Sequence, residues 1–410
     1  MSDLTHISGC RLCSSEDLME VISFGRMPLA NGYTKTIEEK EELYPLSLLN
    51  CRICGHMQIR ETVKPEILFS NFLYATSDSP TLVSHFSSYA LDVRELMGTS
   101  DFSALEIASN DGVLLEAFEK LGVSRVVGVE PALNLVSMSK ERTGAMVIHE
   151  FFGEVCAARI LEQTGKFDVI TANNVMAHIA DLDGVMRGVT KLLSDDGVFI
   201  FENAYLLDTV RNKCYDNTYH EHLQYYGIRP LVGYLEKYGL EFFDVQRQST
   251  QSGSFRGFVK RIGSGKWTVH PRVKERLDEE ATTELYSEKT LLQFRDDFHA
   301  LYKKLDDIVK KVREEGKTIS CYGCSAKFAL LSHQLGLNHL NTHYVVDDSK
   351  IKQGLLSPGG KIPIVSGDHF REHPTDYCII SAWNLADAII KRNPEYKGKF
   401  ILPVPEPRIV

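Results

Sequence analysis

Two sets of residues in this 410-residue chain have the types and spacing that chemistry requires. The first is a pair of CxxC motifs, Cys10-Arg-Leu-Cys13 and Cys51-Arg-Ile-Cys54. A two-residue gap lets both thiolates of a motif reach one ion. Two such motifs complete a tetrahedral sulfur site, the preference of zinc. Gly55, directly after the second motif, offers the permissive backbone that a knuckle turn needs. Four protein ligands leave no open position. The Zn2+ is therefore expected to be structural, holding together a module with few apolar residues of its own. The second set is the stretch NTYHEHLQYY, residues 217–226, which packs His220, Glu221 and His222 between Tyr219 and Tyr225. It reads as a metal site, a catalytic cluster or a solvated polar loop. A metal site lacks a third well-spaced ligand. In an extended stretch His220 and His222 point to opposite sides, so at most one of them is expected to be catalytic.

Bulk properties exclude several function classes. A formal net charge of −9 counts against a broad nucleic-acid surface. No apolar run approaches the roughly 20 residues of a membrane helix. The start MSDLTHISGCRLC lacks the basic and apolar segments of a secretory signal. Nine cysteines, an odd number, fit reduced thiols and a cytoplasmic location better than a disulfide framework. A third motif, Cys321-Tyr-Gly-Cys324, reads as two thiols in a tight strand-to-helix turn rather than a redox pair. Cys156, Cys214 and Cys378 are single and expected to be packed.

The elements that must position the histidine stretch begin near residue 104. ALEIA, RVVGVEP, KFDVITANNV and GVFIFEN read as short buried strands separated by helical segments such as GVLLEAFEKLG. This is the pattern of a doubly wound parallel sheet, and such sheets bind ligands beyond the carboxyl ends of their strands. The first strand ends with Glu106, Ala108, Asn110 and Gly112; the second ends in Glu130 followed by Pro131; the fourth ends in Asn173 and Asn174. Small residues let a cofactor approach the main chain, and an acid after the second strand can bind both ribose hydroxyls. The loop ASNDG lacks the GxGxxG that a dinucleotide pyrophosphate wants. A cofactor without phosphates, S-adenosylmethionine, tolerates it.

LEIASNDGVLLEAF, YHEHLQYY, SGSFRGFV and the paired N-terminal cysteines together resemble the sugar C-methyltransferases. These are three-domain, zinc-containing enzymes that methylate nucleotide-linked ketosugars in deoxysugar pathways. CYGCSAKFALL, VVDDSKIKQG and DYCIISAWNLADAI resemble the family's last domain, so the resemblance spans nearly the whole chain. One departure is CYGCSAK, where the family pattern has a Gly and an Ala in place of the two cysteines, which bears on how the substrate is gripped. In such chemistry a ketone at C4 acidifies the C–H at C3 or C5, a base removes that proton, and the enolate attacks a methyl group. A histidine, with an ordinary pKa of about 6.5, is neutral enough near pH 7 to serve. The resemblance implies that His222, the last residue of YHEH, is the base. Glu221 then anchors the sugar, Tyr219 donates a hydrogen bond near the reacting carbons, and His220 is structural. Tyr74 matches a tyrosine placed over the sugar. Ser77, Ser79 and Thr81 in the same loop can bond sugar or cofactor, and His178 lines the cofactor loop.

Residues 272 to 315 read as one long, charged, amphipathic helix. A second α/β unit follows, with TISCYG, HYVVDD, KIPIV and YCIISAW as strands, and it shows no evident acid at the adenosine position. Ser325 and Lys327 open a helix whose N-terminus can hold an anionic group. The expected architecture is α/β in three parts: a zinc-binding module over 1–72, a Rossmann-like methyltransferase domain over 73–265, and a sugar-nucleotide-binding α/β domain over 266–410. The expected partner is a TDP- or GDP-linked ketosugar, with no nucleic acid, no membrane and a monomeric chain. O- or N-methylation of a sugar, a non-catalytic binding protein and a zinc-containing RNA methyltransferase remain the alternatives.

Overall fold

The computed structural model describes residues 3–69 and 72–410. Near the N-terminus Leu18–Pro28, Leu43–Cys51 and Met57–Ile59 pair antiparallel in chain order. The sheet is completed from far along the chain: Gln224–Tyr225, inside the histidine stretch, pairs with Met57–Ile59, placing Gln224 opposite Gln58 and Tyr225 opposite Met57. Residues 217–226 are thereby fastened to the cysteine module.

The central sheet has seven strands. In spatial order they are Leu240–Gln248, Ser254–Arg261, Leu193–Ala204, Phe167–Asn173, Ser103–Ile107, Arg125–Glu130 and Met146–His149. The last five are mutually parallel, Ser254–Arg261 runs antiparallel to Leu193–Ala204, and Leu240–Gln248 runs antiparallel to Ser254–Arg261. Every residue of Ser103–Ile107 is buried, as a parallel strand covered on both faces requires. The strand order reverses between Ser103–Ile107 and Phe167–Asn173, and a crevice opens there at the carboxyl ends.

The C-terminal sheet orders Ile364–Val365, Val345–Val346, Ile319–Tyr322, Tyr377–Ile380, Lys399–Leu402 and the antiparallel Arg408–Ile409. Its first five strands follow the same third–second–first–fourth–fifth order as the central sheet. The letters show no repeat, but the topology does. It also corrects the expectation that this unit lacks an acid at the end of its second strand. Asp347 accepts the N–H of Cys324 at 2.8 Å, just as Glu130 accepts that of Asn110 at 2.9 Å. Asp347 stands in the run HYVVDD that reads as a strand, but its partner, the Cys324 N–H, lies 23 residues upstream.

The expected single helix over 272–315 is two helices, Pro271–Thr282 and Glu288–Glu314. Glu284 takes a left-handed conformation (φ 49°), and the Ser287 side chain accepts the N–H of Thr290, which starts the second helix afresh. Phe294, Phe298, Leu301 and Leu305, three or four apart, form its buried stripe. Phe298 meets Phe24 edge-on at 5.2 Å and Phe294 lies 4.5 Å from Tyr215. The helix therefore braces both the N-terminal sheet and the turn that leads into the histidine stretch. Among the described residues no helix is long and apolar enough to cross a membrane.

Candidate active site

The four N-terminal cysteines converge. Their Sγ atoms all lie within 4.8 Å of one another, with Cys10 to Cys54 at 3.6 Å and Cys13 to Cys51 at 3.5 Å. A Zn–S bond of about 2.3 Å in a tetrahedron sets sulfurs about 3.8 Å apart, so the donor set fits zinc in type and spacing. Contact with Cys54 lowers the Cys10 thiol, and the same contact raises that of Cys54. Gly55 turns the knuckle at φ +87°, and a Cβ there would lie 2.4 Å from the Arg229 guanidinium. None of the four cysteines lines the large cavity of the molecule, so the metal site stands apart from it.

That cavity, of about 660 Å³, opens at the switch point of the central sheet. On one side it is lined by Ala108, Asn110, Glu130 and Pro131, and by Asn173, Asn174 and His178. Ala108, Asn110 and Asn174 have positive φ (56°, 51° and 54°), which turns their loops sharply at the strand ends. The Glu130 carboxylate accepts the N–H groups of Asn110 (2.9 Å) and Ala132 (2.8 Å). Asn110 accepts the N–H of Thr76 at 2.9 Å and donates to the Tyr74 carbonyl at 3.1 Å, tying residues 74–76 over the pocket. Gly112 and Ser77 do not line the cavity. Gly112 starts the helix Val113–Lys120 one layer behind it, and the Ser77 N–H is spent on Asp111.

At the base of this side Glu106 Oε2 and both amide atoms of Asn173 and of Asn203 are buried without a hydrogen-bond partner among the described residues. Burial holds the Glu106 carboxyl well above its usual range. Asn173 lies beside Glu106, and these polar groups give the cavity floor donors and acceptors that a polar ligand can use. With Phe151 and Phe152 as an apolar wall, the pocket fits an amino-acid-bearing nucleoside such as S-adenosylmethionine.

The opposite wall is the histidine stretch. His222 Nδ1–H donates to the Asn217 carbonyl at 2.8 Å, and the Tyr219 hydroxyl donates to His222 Nε2 at 2.7 Å. A carbonyl only accepts, so the proton of a neutral His222 sits on Nδ1 and the lone pair on Nε2. Rings stack in a column: Phe69 on His178 at 5.5 Å, His178 beside His222 at 5.0 Å, His222 on Tyr219 at 4.0 Å. Burial, and next the neighbouring His178, hold His222 well below the usual histidine range, and burial pushes His178 down to about 4. Burial likewise keeps the Tyr219 hydroxyl protonated. Glu221 accepts the Asn31 side-chain amide at 3.1 Å on one oxygen, while the other is buried without a partner. His220 faces away, bonded to the Pro45 carbonyl at 3.1 Å. Tyr74 stands at the mouth, 43% exposed.

Ser325 and Lys327 line the cavity from the start of the helix Ala326–Gln334. Lys352, which sequence reasoning missed, joins them and bonds the Cys324 carbonyl at 3.1 Å. Asn31 and Asn203 were missed too. Asn203 had a readable signal, a polar residue at the carboxyl end of a parallel strand. Asn31, in PLANGY, had none. Cys321 and Cys324 are unpaired and fully buried, and burial raises both thiols, so neither is poised for redox chemistry.

Three family models tile the chain: a zinc binding domain over residues 10–69, a methyltransferase domain over 73–245 and a C-methyltransferase C-terminal domain over 249–405. The C-methyltransferase NovU of Streptomyces niveus is 33% identical over 417 residues, covering 100% of this chain and 99% of that one. A ubiquinone biosynthesis O-methyltransferase of Colwellia psychrerythraea is 25% identical over 161 residues, 36% of this chain and 64% of that one. The crystal structure of PH0226 protein from Pyrococcus horikoshii OT3 aligns with 48% of this chain and 96% of that one, at 14% identity and a TM-score of 0.37. By its full-length relative, its three domain matches and its cysteine cluster, the chain belongs to the zinc-containing, S-adenosylmethionine-dependent C-methyltransferases.

Proposed function

We propose that the chain methylates C3 of a TDP- or GDP-linked 4-keto-6-deoxysugar, with His222 as the base. One observation carries this reading: a neutral histidine, its lone pair aimed by the Asn217 carbonyl behind it, shares a cavity with the cofactor-side strand ends. S-adenosylmethionine, when bound, supplies an electrophilic methyl group. The chain's own residues make the carbon nucleophile. The Tyr219 hydroxyl turns from Nε2 toward the C4 oxygen, and Nε2 takes the C3 proton. The C–H electron pair becomes the enolate, whose oxygen is held by Tyr219. A positioned base of this kind contributes about 10²- to 10⁴-fold. Glu221 and Tyr74 hold the sugar. Ser325 and Lys327, with Lys352 beside them, hold the diphosphate, where a helix N-terminus and two cations favour an anion. All nine cysteines are unpaired, which suits the cytoplasm.

The test is proton exchange in D2O with the ketosugar nucleotide and no cofactor. The wild type should exchange the C3 proton, and His222→Ala should not. Exchange that survives in His222→Ala overturns the assignment of the base.

A further inference from the structure

We propose that Asp216 is a positioning residue that ties the orientation of His222 to the seating of the C-terminal α/β unit. Asp216 lies in the turn Tyr215–Asn217 and is 4% exposed. Its Oδ2 accepts the indole N–H of Trp383 at 2.7 Å and lies 3.8 Å from Lys327 Nζ. The Lys327 ammonium also sits 5.4 Å from the Trp383 ring centroid. Lys327 follows the first strand of the C-terminal sheet and Trp383 follows the fourth. They form the two lips of that unit's own switch-point crevice. Asp216 thus bridges both lips with one carboxylate.

The consequence lies one residue further on. The Asn217 carbonyl accepts both His222 Nδ1–H (2.8 Å) and the Tyr225 hydroxyl (3.2 Å). On the other side, the Tyr215 hydroxyl donates to the Phe294 carbonyl at 2.9 Å. With Tyr215 fixed, a displacement of Asp216 is passed to the Asn217 carbonyl, and that carbonyl sets which ring nitrogen of His222 carries the proton. A buried carboxylate is costly unless paired, so Trp383 and Lys327 hold the Asp216 end of the turn, while the Tyr215 end is held by the helix Glu288–Glu314. Lys327 also lines the cavity, so the lysine proposed to meet the substrate anion is the one that steadies the base.

This inference rests on the reading of His222 as base, and its test separates the two. Two variants are made in the full-length zinc-loaded chain. Trp383→Phe removes the N–H and keeps the ring. Asp216→Asn keeps an acceptor for Trp383 but leaves Lys327 without a counter-charge. The first readout is ¹⁵N–¹H NMR of the histidine side chains, with His222 assigned by its loss in His222→Gln. The wild type should show the Nδ1–H form, and both variants a mixture of tautomers. The second is kcat, expected to fall about ten- to a hundredfold, the cost of a reacting group misplaced by up to about an ångström, with the KM for S-adenosylmethionine unchanged. An unchanged His222 signal in Trp383→Phe overturns the proposal, even if Asp216→Asn fails to fold. A changed signal with unchanged kcat keeps Asp216 as the positioning residue and removes His222 from the role of base.

Discussion

Glu221 offers a measurable test of how dry the site is. Burial pushes its carboxyl from the ordinary 4.5 up to about 7. Between those values the folded chain holds a proton that the unfolded chain has released. Stability therefore falls as pH rises through this window, by ~1.4 kcal/mol per unit and about 3 kcal/mol in all, and levels off above about 7. Glu221→Gln keeps an acceptor for the Asn31 amide and removes the titration. The variant should match the wild type near pH 4.5 and gain on it progressively up to pH 7. For a cooperative unit of about 200 residues the gain corresponds to roughly 6–12 °C in melting temperature. The assay is thermal melting of both proteins at half-unit steps from pH 4.5 to 8. Subtracting one curve from the other cancels the contribution of the neighbouring histidines. Parallel curves over the whole range would refute the reasoning, because they would mean that Glu221 is ionised throughout and solvated by something the cavity wall does not show.

Two further predictions concern the scaffold. Stripping the metal, or Cys51→Ser, should reduce zinc from one ion per chain by metal analysis and abolish turnover, since structural zinc sites hold about 10–16 kcal/mol of apparent binding energy at neutral pH; full activity in a zinc-free chain would contradict the structural role. Gly112→Ala should lower stability by about 2 kcal/mol, because Gly112 sits at φ +82° and a Cβ there would lie 2.4 Å from the buried Ser139 hydroxyl, so an unchanged melting temperature would show that the loop relaxes freely.

The parts of this site legible in the sequence were those whose spacing is local. Two CxxC motifs announce a sulfur site whatever lies between them. Glu130 and Asn173 could be found because parallel strands end where ligands bind, and strands such as ALEIA and KFDVITAN read plainly. What stayed hidden was set by contacts between distant segments. Asn31 reaches Glu221 across 190 residues, and nothing in PLANGY encodes that. Asp347 and Lys352 lie in VVDDSKIKQG, but the Cys324 main chain that both bond lies 23 and 28 residues upstream. The helix break at Glu284 is a left-handed backbone turn that amphipathic spacing does not show, and Ser287 was its readable signal as an N-cap.

The histidine stretch also explains why a metal site outside the cavity belongs to the enzyme. Residues 217–226 contain one strand of two residues and cannot hold their shape alone. They are held from three directions. The central unit supplies His178, whose ring lies beside His222, with Phe69 from the end of the N-terminal module stacked on it. The C-terminal unit docks on Asp216. The zinc module supplies the rest: Asn31 on Glu221, the Pro45 carbonyl on His220, and His56 on Gln224 at 3.1 Å. His56 is two residues past Cys54 and its N–H approaches that sulfur at 3.4 Å. Gln224 in turn donates to the Ile179 carbonyl at 2.8 Å, next to His178. The zinc knuckle is therefore linked by hydrogen bonds through His56 and Gln224 to the Ile179 carbonyl, one residue past His178. Its effect on the chemistry is one of position: the ion never meets the substrate, yet its loss releases the residue that fixes Gln224, and with it the wall that aims His222.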